Sequence, residues 1–334
     1  MTQNIDTGRT ATANSHSEQP QLRGDSFARR VLAVLSRKYS RVRSGRDSFT
    51  DLALFFTDQA TRVIFNRNPQ FYGKRKAHQF SSLKHEDGYH IKDARLPLLD
   101  PENECLFFGY VFEDTFYSYL YLDDDYSEKT VDECDKFLYE GLYGLVNDSV
   151  DVRVKPGDVV IDAGSWAGDF AAYSSAKGAG KVYAFEPTEA NFKYLVKTAE
   201  LNPGIIPVKL GLSNETTSRT IFLDERNTGA SSMLEDMCVA RHEETEIHTT
   251  TVDQFVSENH IERVDFIKSD IEGFERYMLE GAQETLRRFA PKLALCTYHL
   301  PDDPQVMAGL ILKANPRYSI IQKSKKLYAS VPGH

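Results

Sequence analysis

"VVIDAGSWAGDF", Val159 to Phe170, decides the fold. A short β-branched run ends in an acid, Asp162. A loop with Gly164 and Gly168 follows, and a helical pattern starts near Phe170. A strand that turns through glycines into a helix aims free amide N–H groups at the edge of a sheet, where open α/β sheets take ligands. The spacing is not G-x-G-x-x-G, because Trp166 stands at the second glycine position. A carboxylate at Asp162 repels a pyrophosphate and suits a cationic amino-acid group or a sulfonium. The alternative for Asp162 is a simple cap on the turn.

Working outward, Pro156 and Gly157 mark a change of character. Short apolar runs ("VVID", "KVYAFEP", "IIPVKLGL", "TIFL", "HTTTV", "VDFIKSD", "KLALCTYH") recur with helical stretches between most of them. This alternation predicts a mostly parallel sheet with helices on both faces. Three further strand ends are polar. "KVYAFEP" ends in Glu186, 24 positions after Asp162, where an acid accepts hydrogen bonds from ribose hydroxyls, and Pro187 follows. "VDFIKSDIEGFERYMLEGAQETL" crowds Lys268, Asp270, Glu272 and Glu275 at one junction. Ser269 and Glu272 have the spacing of a capping box, but a cap does not need Lys268 and Asp270 beside it. "KLALCTYHLPDDP" delivers His299 at a strand end, and an imidazole of ordinary near-neutral pKa suits a general base.

Together these clusters resemble the FkbM family of S-adenosylmethionine-dependent methyltransferases. The resemblance runs from about Val154 to the C-terminus and rests on five stretches. They are "VKPGDVVIDAGSWAGDF", "YAFEP" with Asn191 downstream, "TTVDQF", "DFIKSDIEGFERYMLEGA" and "PKLALCTYH". Ser165, where an alanine is common, and Trp166 depart from the family pattern. The resemblance implies an α/β fold, a class I Rossmann-like methyltransferase domain. It implies O-methylation, with S-adenosyl-L-methionine as cofactor and a hydroxyl of a sugar, glycan or related small molecule as acceptor. The cofactor then falls to Asp162, Gly164, Ser165, Trp166, Gly168, Glu186, Pro187 and Asp270. Trp166 either lies over the cofactor, near its cationic sulfur, or wedges the loop against the N-terminal part. His299, or else Asp270, takes the hydroxyl proton, and Lys268 and Glu272 orient the acceptor. No metal is expected; the alternative is a divalent ion held by Asp270, Glu272 and His299. Rival readings are a NAD-dependent oxidoreductase, a nucleic-acid methyltransferase and a non-catalytic binding module.

The remainder of the 334 residues bounds these expectations. Net charge is -9, which disfavours nucleic acid as a partner. Cys105, Cys134, Cys238 and Cys296 lack CxxC spacing, as in reduced thiols of a cytoplasmic protein. No run of apolar residues is long enough to span a bilayer, and no signal peptide is visible. The division expected is a disordered tail over 1–24, a smaller α+β accessory domain over 25–150 and the methyltransferase domain over 151–334. A basic amphipathic pattern over 27–46 reads as a surface helix, or as a peripheral contact with an anionic membrane. "LALFFTDQATRVIF" suggests a helix. "ECLFFGYVFEDTFYSYLYLDDDYS" looks strand-like up to the loop at Asp123, Asp124 and Asp125, and "TVDECDKFLYEGLYGLVND" starts as a helix. Sequence sets no oligomeric state and no single acceptor.

Overall fold

The computed structural model describes residues 69–116, 119–120, 143–224, 231–234, 242–323 and 325–333. The tail 1–24, the basic segment 27–46, the stretch 52–65, the acidic triplet 123–125 and most of 130–148 lie outside the described residues.

Seven strands form the central sheet: β1 (Val159–Ala163), β2 (Lys181–Phe185), β3 (Ile205–Val208), β4 (Phe266–Ser269), β5 (Lys292–Cys296), β6 (Ser319–Lys323) and β7 (Lys326–Ser330). Their order is β3-β2-β1-β4-β5-β7-β6. Strands β1 to β5 are mutually parallel, and β7 runs antiparallel to both of its neighbours. The strands are apolar runs because both of their faces are covered. Val160, Phe266 and Ala294 belong to one hydrophobic cluster, with Phe170 and Leu195. Their successors Ile161, Ile267 and Leu295 belong to another, with Phe255, Leu286 and Met307. Period-two side chains thus bury two helical layers at once. The first layer holds α1 (Asp169–Ala176) and α2 (Glu189–Leu201). The second holds α3 (Val252–Glu258), α4 (Glu275–Glu280), α5 (Gln283–Phe289) and α6 (Asp303–Ala314). The α/β, Rossmann-like architecture expected from the alternation is present.

Two expectations need correction. "TIFL" and "HTTTV" are not in the central sheet. They pair antiparallel as Thr217–Asp224 and His242–Thr250, with Gly211–Leu212 beside the second strand. The strand-like reading from Glu104 onward also fails: Pro101–Leu106, Phe107–Val111 and Phe112–Thr115 form successive α, π and α turns. Strand propensity of the aromatics is overridden by a helix start. The Asp100 carboxylate accepts the Glu102 and Asn103 amides, with Pro101 in the first turn. Phe108, Phe112 and Phe116 then recur every four residues on one buried face. That face shares a cluster with Trp166, Ala167, Ala172 and Tyr194, so this segment packs on the glycine loop and on α1 and α2. Ahead of it lie a helix, Pro69–Gln79, and a three-stranded antiparallel sheet.

Candidate active site

The C-terminal ends of β1, β2 and β4 meet at one pocket. Gly164, Trp166, Glu186, Thr188, Asp270 and Glu272 are among its walls. Gly164 has φ +76°, and a Cβ there would lie 1.9 Å from the Asp270 carbonyl oxygen. Only glycine lets the loop after β1 cross the end of β4 this closely. Gly168 (φ +88°) faces Leu195 and Thr198 of α2 in the same way. Ser165 is buried and donates its hydroxyl to the Asp162 carbonyl, closing the turn.

Glu186 stands where a ribose-binding acid is expected. Its carboxylate accepts the Trp166 amide at 3.1 Å, the Thr188 amide at 2.9 Å and the Thr188 hydroxyl. Burial raises its pKa to about 7, with these donors pulling the other way. Pro187, Asn191, Leu210 and Leu212 line the same pocket. An acid at the end of β2, an apolar wall beyond it and a glycine loop opposite fit a nucleoside.

Two residues are placed differently from expectation. Asp162 and Lys268 are directly paired in the β1–β4 register. Both are buried, and the Lys268 ammonium lies 3.1 Å from the Asp162 carboxylate. Asp162 therefore stands against a lysine inside the sheet. Lys268 donates to the carbonyl of Gly164 at 2.7 Å and, more weakly, to that of Ala163. Burial alone would lower its pKa, but Asp162, Asp270 and Asp169 hold it above the ordinary value. Its position is that of a pin for the glycine loop. Trp166, at φ +46°, has its ring 6.5 Å from that of Phe107 and nearly parallel to it. The ring packs in the aromatic cluster and also lines the pocket, and the Trp166 amide donates to Glu186.

Beyond β4 the chain turns sharply. Glu272, at φ +50°, and Gly273, at φ +98°, take left-handed backbone, strained at the former. The capping box does not form: Ser269 ends β4 and α4 starts only at Glu275. Instead the fully buried Glu275 carboxylate accepts the Ile271 and Gly273 amides at 2.8 and 3.0 Å. His299, three residues past β5, points into this turn. Its Nε2 lies 3.1 Å from Glu272 and 3.8 Å from Asp270, and its Nδ1 lies 3.2 Å from Glu275. Asp270 also accepts the Tyr143 hydroxyl at 2.7 Å and the Tyr298 hydroxyl at 3.1 Å.

Charge follows from this crowding. For Asp270, burial alone would raise the pKa, but Lys326, Lys268 and His299 hold it at about 2. Burial raises Glu272. For His299, burial lowers the pKa, and Glu272, Glu275 and Asp270 overcome it to reach about 11. The near-neutral imidazole expected from sequence is thus replaced by an ion-paired imidazolium, because three carboxylates surround the ring.

Residues 158–318 match the methyltransferase FkbM domain. That span, just under half of the chain, is similar to FkbM methyltransferase domains. Over 158 residues, 47% of this chain, it is 28% identical to hexuronic acid methyltransferase AglP of Haloferax volcanii and spans 62% of that protein. A solved methyltransferase FkbM of Methylobacillus flagellatus is 21% identical, with a TM-score of 0.41 over 53% of this chain and 44% of that one. Aeropyrum pernix fibrillarin, solved with natively bound S-adenosyl-L-methionine, is 12% identical at a TM-score of 0.34, over 55% of this chain and 70% of that one. The chain therefore spans less than two thirds of the first two relatives.

Three residues that contact this cluster had no role assigned from sequence. Tyr298 stands beside His299 in "CTYH" and could have been found there. Glu275 was noted only as part of the crowd. Tyr143, 127 residues from Asp270, carries no local signal.

Proposed function

We propose that the FkbM domain transfers a methyl group from S-adenosylmethionine to a hydroxyl of a sugar or glycan. One observation carries this reading: Glu186 and Gly164 share a pocket with Asp270 and Glu272, and the latter two stand within 4.8 Å of the His299 imidazole. The relative named for a hexuronic acid supports a sugar as the acceptor.

In this reading the donor supplies an electrophilic methyl: the acceptor oxygen–carbon bond forms, the sulfur–carbon bond breaks with its electron pair returning to sulfur, and the hydroxyl proton is released. The chain's residues set the geometry for that displacement. Glu186 receives the ribose hydroxyls. Gly164 and Gly168 allow backbone amides close to the amino-acid end, and Lys268 keeps that loop on β4. The Asp270–Glu272–His299 cluster orients the acceptor hydroxyl, and Glu272, the carboxylate whose pKa burial raises, draws off its proton. Among the described residues no helix is long and apolar enough to cross a membrane.

The test uses purified chain with S-adenosylmethionine carrying a labelled methyl group, offered to hexuronic acids, neutral sugars, lipid-linked glycans and RNA. Label in a sugar fraction, with a product heavier by one methyl, is expected. Label in RNA alone would overturn the acceptor class, and no cofactor binding by calorimetry would overturn the activity.

A further inference from the structure

Three groups beside the pocket face one another. A carboxylate oxygen of Asp270, one of Glu272 and a ring nitrogen of His299 all lie within 4.8 Å of one another. His299 is 7% exposed, yet neither ring nitrogen makes a directional hydrogen bond.

The distances are those of ligands about a shared ion. Two donors in adjacent octahedral positions, each about 2.1 Å from the ion, stand about 3 Å apart. His299 Nε2 and Glu272 are 3.1 Å apart, and His299 Nε2 and Asp270 are 3.8 Å apart, so a small inward movement closes the set. The surroundings support each ligand. Glu275 sits 3.2 Å from Nδ1 and is itself held by two backbone amides, so a small turn of the ring would make the carboxylate–histidine hydrogen bond that fixes a metal-facing Nε2. Tyr143 and Tyr298 donate to Asp270, so that ligand is hydrogen-bonded in turn.

We propose that Asp270, Glu272 and His299 bind a divalent cation of the magnesium or manganese type, with Glu275 orienting His299. Two carboxylates and one imidazole suit such an ion and leave coordination positions open. Resting on the methyltransferase reading, the ion would take the acceptor oxygen in an open position, favour its deprotonated form and hold it beside the cofactor pocket, which Asp270 and Glu272 also line.

The experiment treats the full chain with a chelator, removes the chelator and titrates Mn²⁺ alone, with no cofactor and no acceptor. Electron paramagnetic resonance should show one tight site, displaced by excess Mg²⁺, and its spin echo should carry the modulation of one imidazole nitrogen. Asp270→Asn and Glu272→Gln should each weaken Mn²⁺ by tenfold or more. His299→Asn should abolish the nitrogen modulation, and Glu275→Gln should weaken Mn²⁺ by about 10–100-fold. The wild-type spectrum needs no variant to fold. Absence of a tight Mn²⁺ site, or a tight site without imidazole modulation, overturns the proposal. S-adenosylmethionine binding, measured on the same preparation, is a separate readout. If the cofactor binds and Mn²⁺ does not, the metal site alone is lost. If Mn²⁺ binds and the cofactor does not, the methyltransferase reading is lost.

Discussion

At the residue scale, Glu186 joins fold and chemistry, because one carboxylate ties the Trp166 amide and the start of α2 while facing the pocket. Glu186→Ala should weaken S-adenosylmethionine binding by about 1–3 kcal/mol, since buried hydroxyls lose a charged partner. Calorimetry showing unchanged affinity would remove the ribose assignment. Its raised pKa adds a pH dependence of known sign. The folded value of about 7 exceeds the unfolded 4.5, so the native state holds an extra proton between them. The stability contribution is fully present below pH 4.5 and is lost as pH rises through about 7. Glu186→Gln should flatten that part of the stability–pH curve, and equal slopes in denaturant titrations of the two proteins would contradict the assignment. Lys268 belongs to the same scale. Lys268→Met leaves Asp162 buried and uncompensated, which should cost about 3–5 kcal/mol, and Lys268→Met with Asp162→Leu should recover much of that loss. A double variant no more stable than the single one would show that the pair is not the reason.

At the scale of the element, the loop from Gly164 to Gly168 is held from three sides. Lys268 pins it from β4, Glu186 from β2, and the Phe107 ring from the helical segment that precedes the sheet. Trp166 adopts left-handed backbone that costs a non-glycine residue about 1–3 kcal/mol, so its packing must outweigh this. Trp166→Ala keeps the strain and loses the packing, and thermal unfolding should show a loss of about 3–5 kcal/mol. A loss below about 1 kcal/mol would mean that the aromatic cluster does not support the loop. Much of this loop was legible beforehand, because glycine spacing acts locally. The helical turns from Pro101 to Thr115 were also written in the chain, in Asp100–Pro101 and the four-residue recurrence of Phe108, Phe112 and Phe116. Aromatic richness suggested a strand, and the burial that made that period decisive comes from a partner, Trp166, far along the chain.

Over the whole molecule, the prediction that follows from composition concerns the tail. Removal of residues 1–24 should leave the melting temperature and cofactor affinity unchanged, and a clear fall in either would show that the tail docks. By itself the sequence determined the alternating elements after Pro156, the glycine turn after β1, and acids or a histidine at or just beyond four strand ends. Those features depend on near neighbours: β-branched runs, turn glycines and helical periods act within a few residues. Only the tertiary structure decided which of those polar groups remain available. Register set Asp162 against Lys268 inside the sheet. Folding past β5 carried His299 three residues beyond the strand and in among Asp270, Glu272 and Glu275, which changed its charge. The physical reason is the same in each case: ionisation and availability depend on burial and on charges brought together from distant parts of the chain, and neither is a property of the residue's own neighbourhood in sequence.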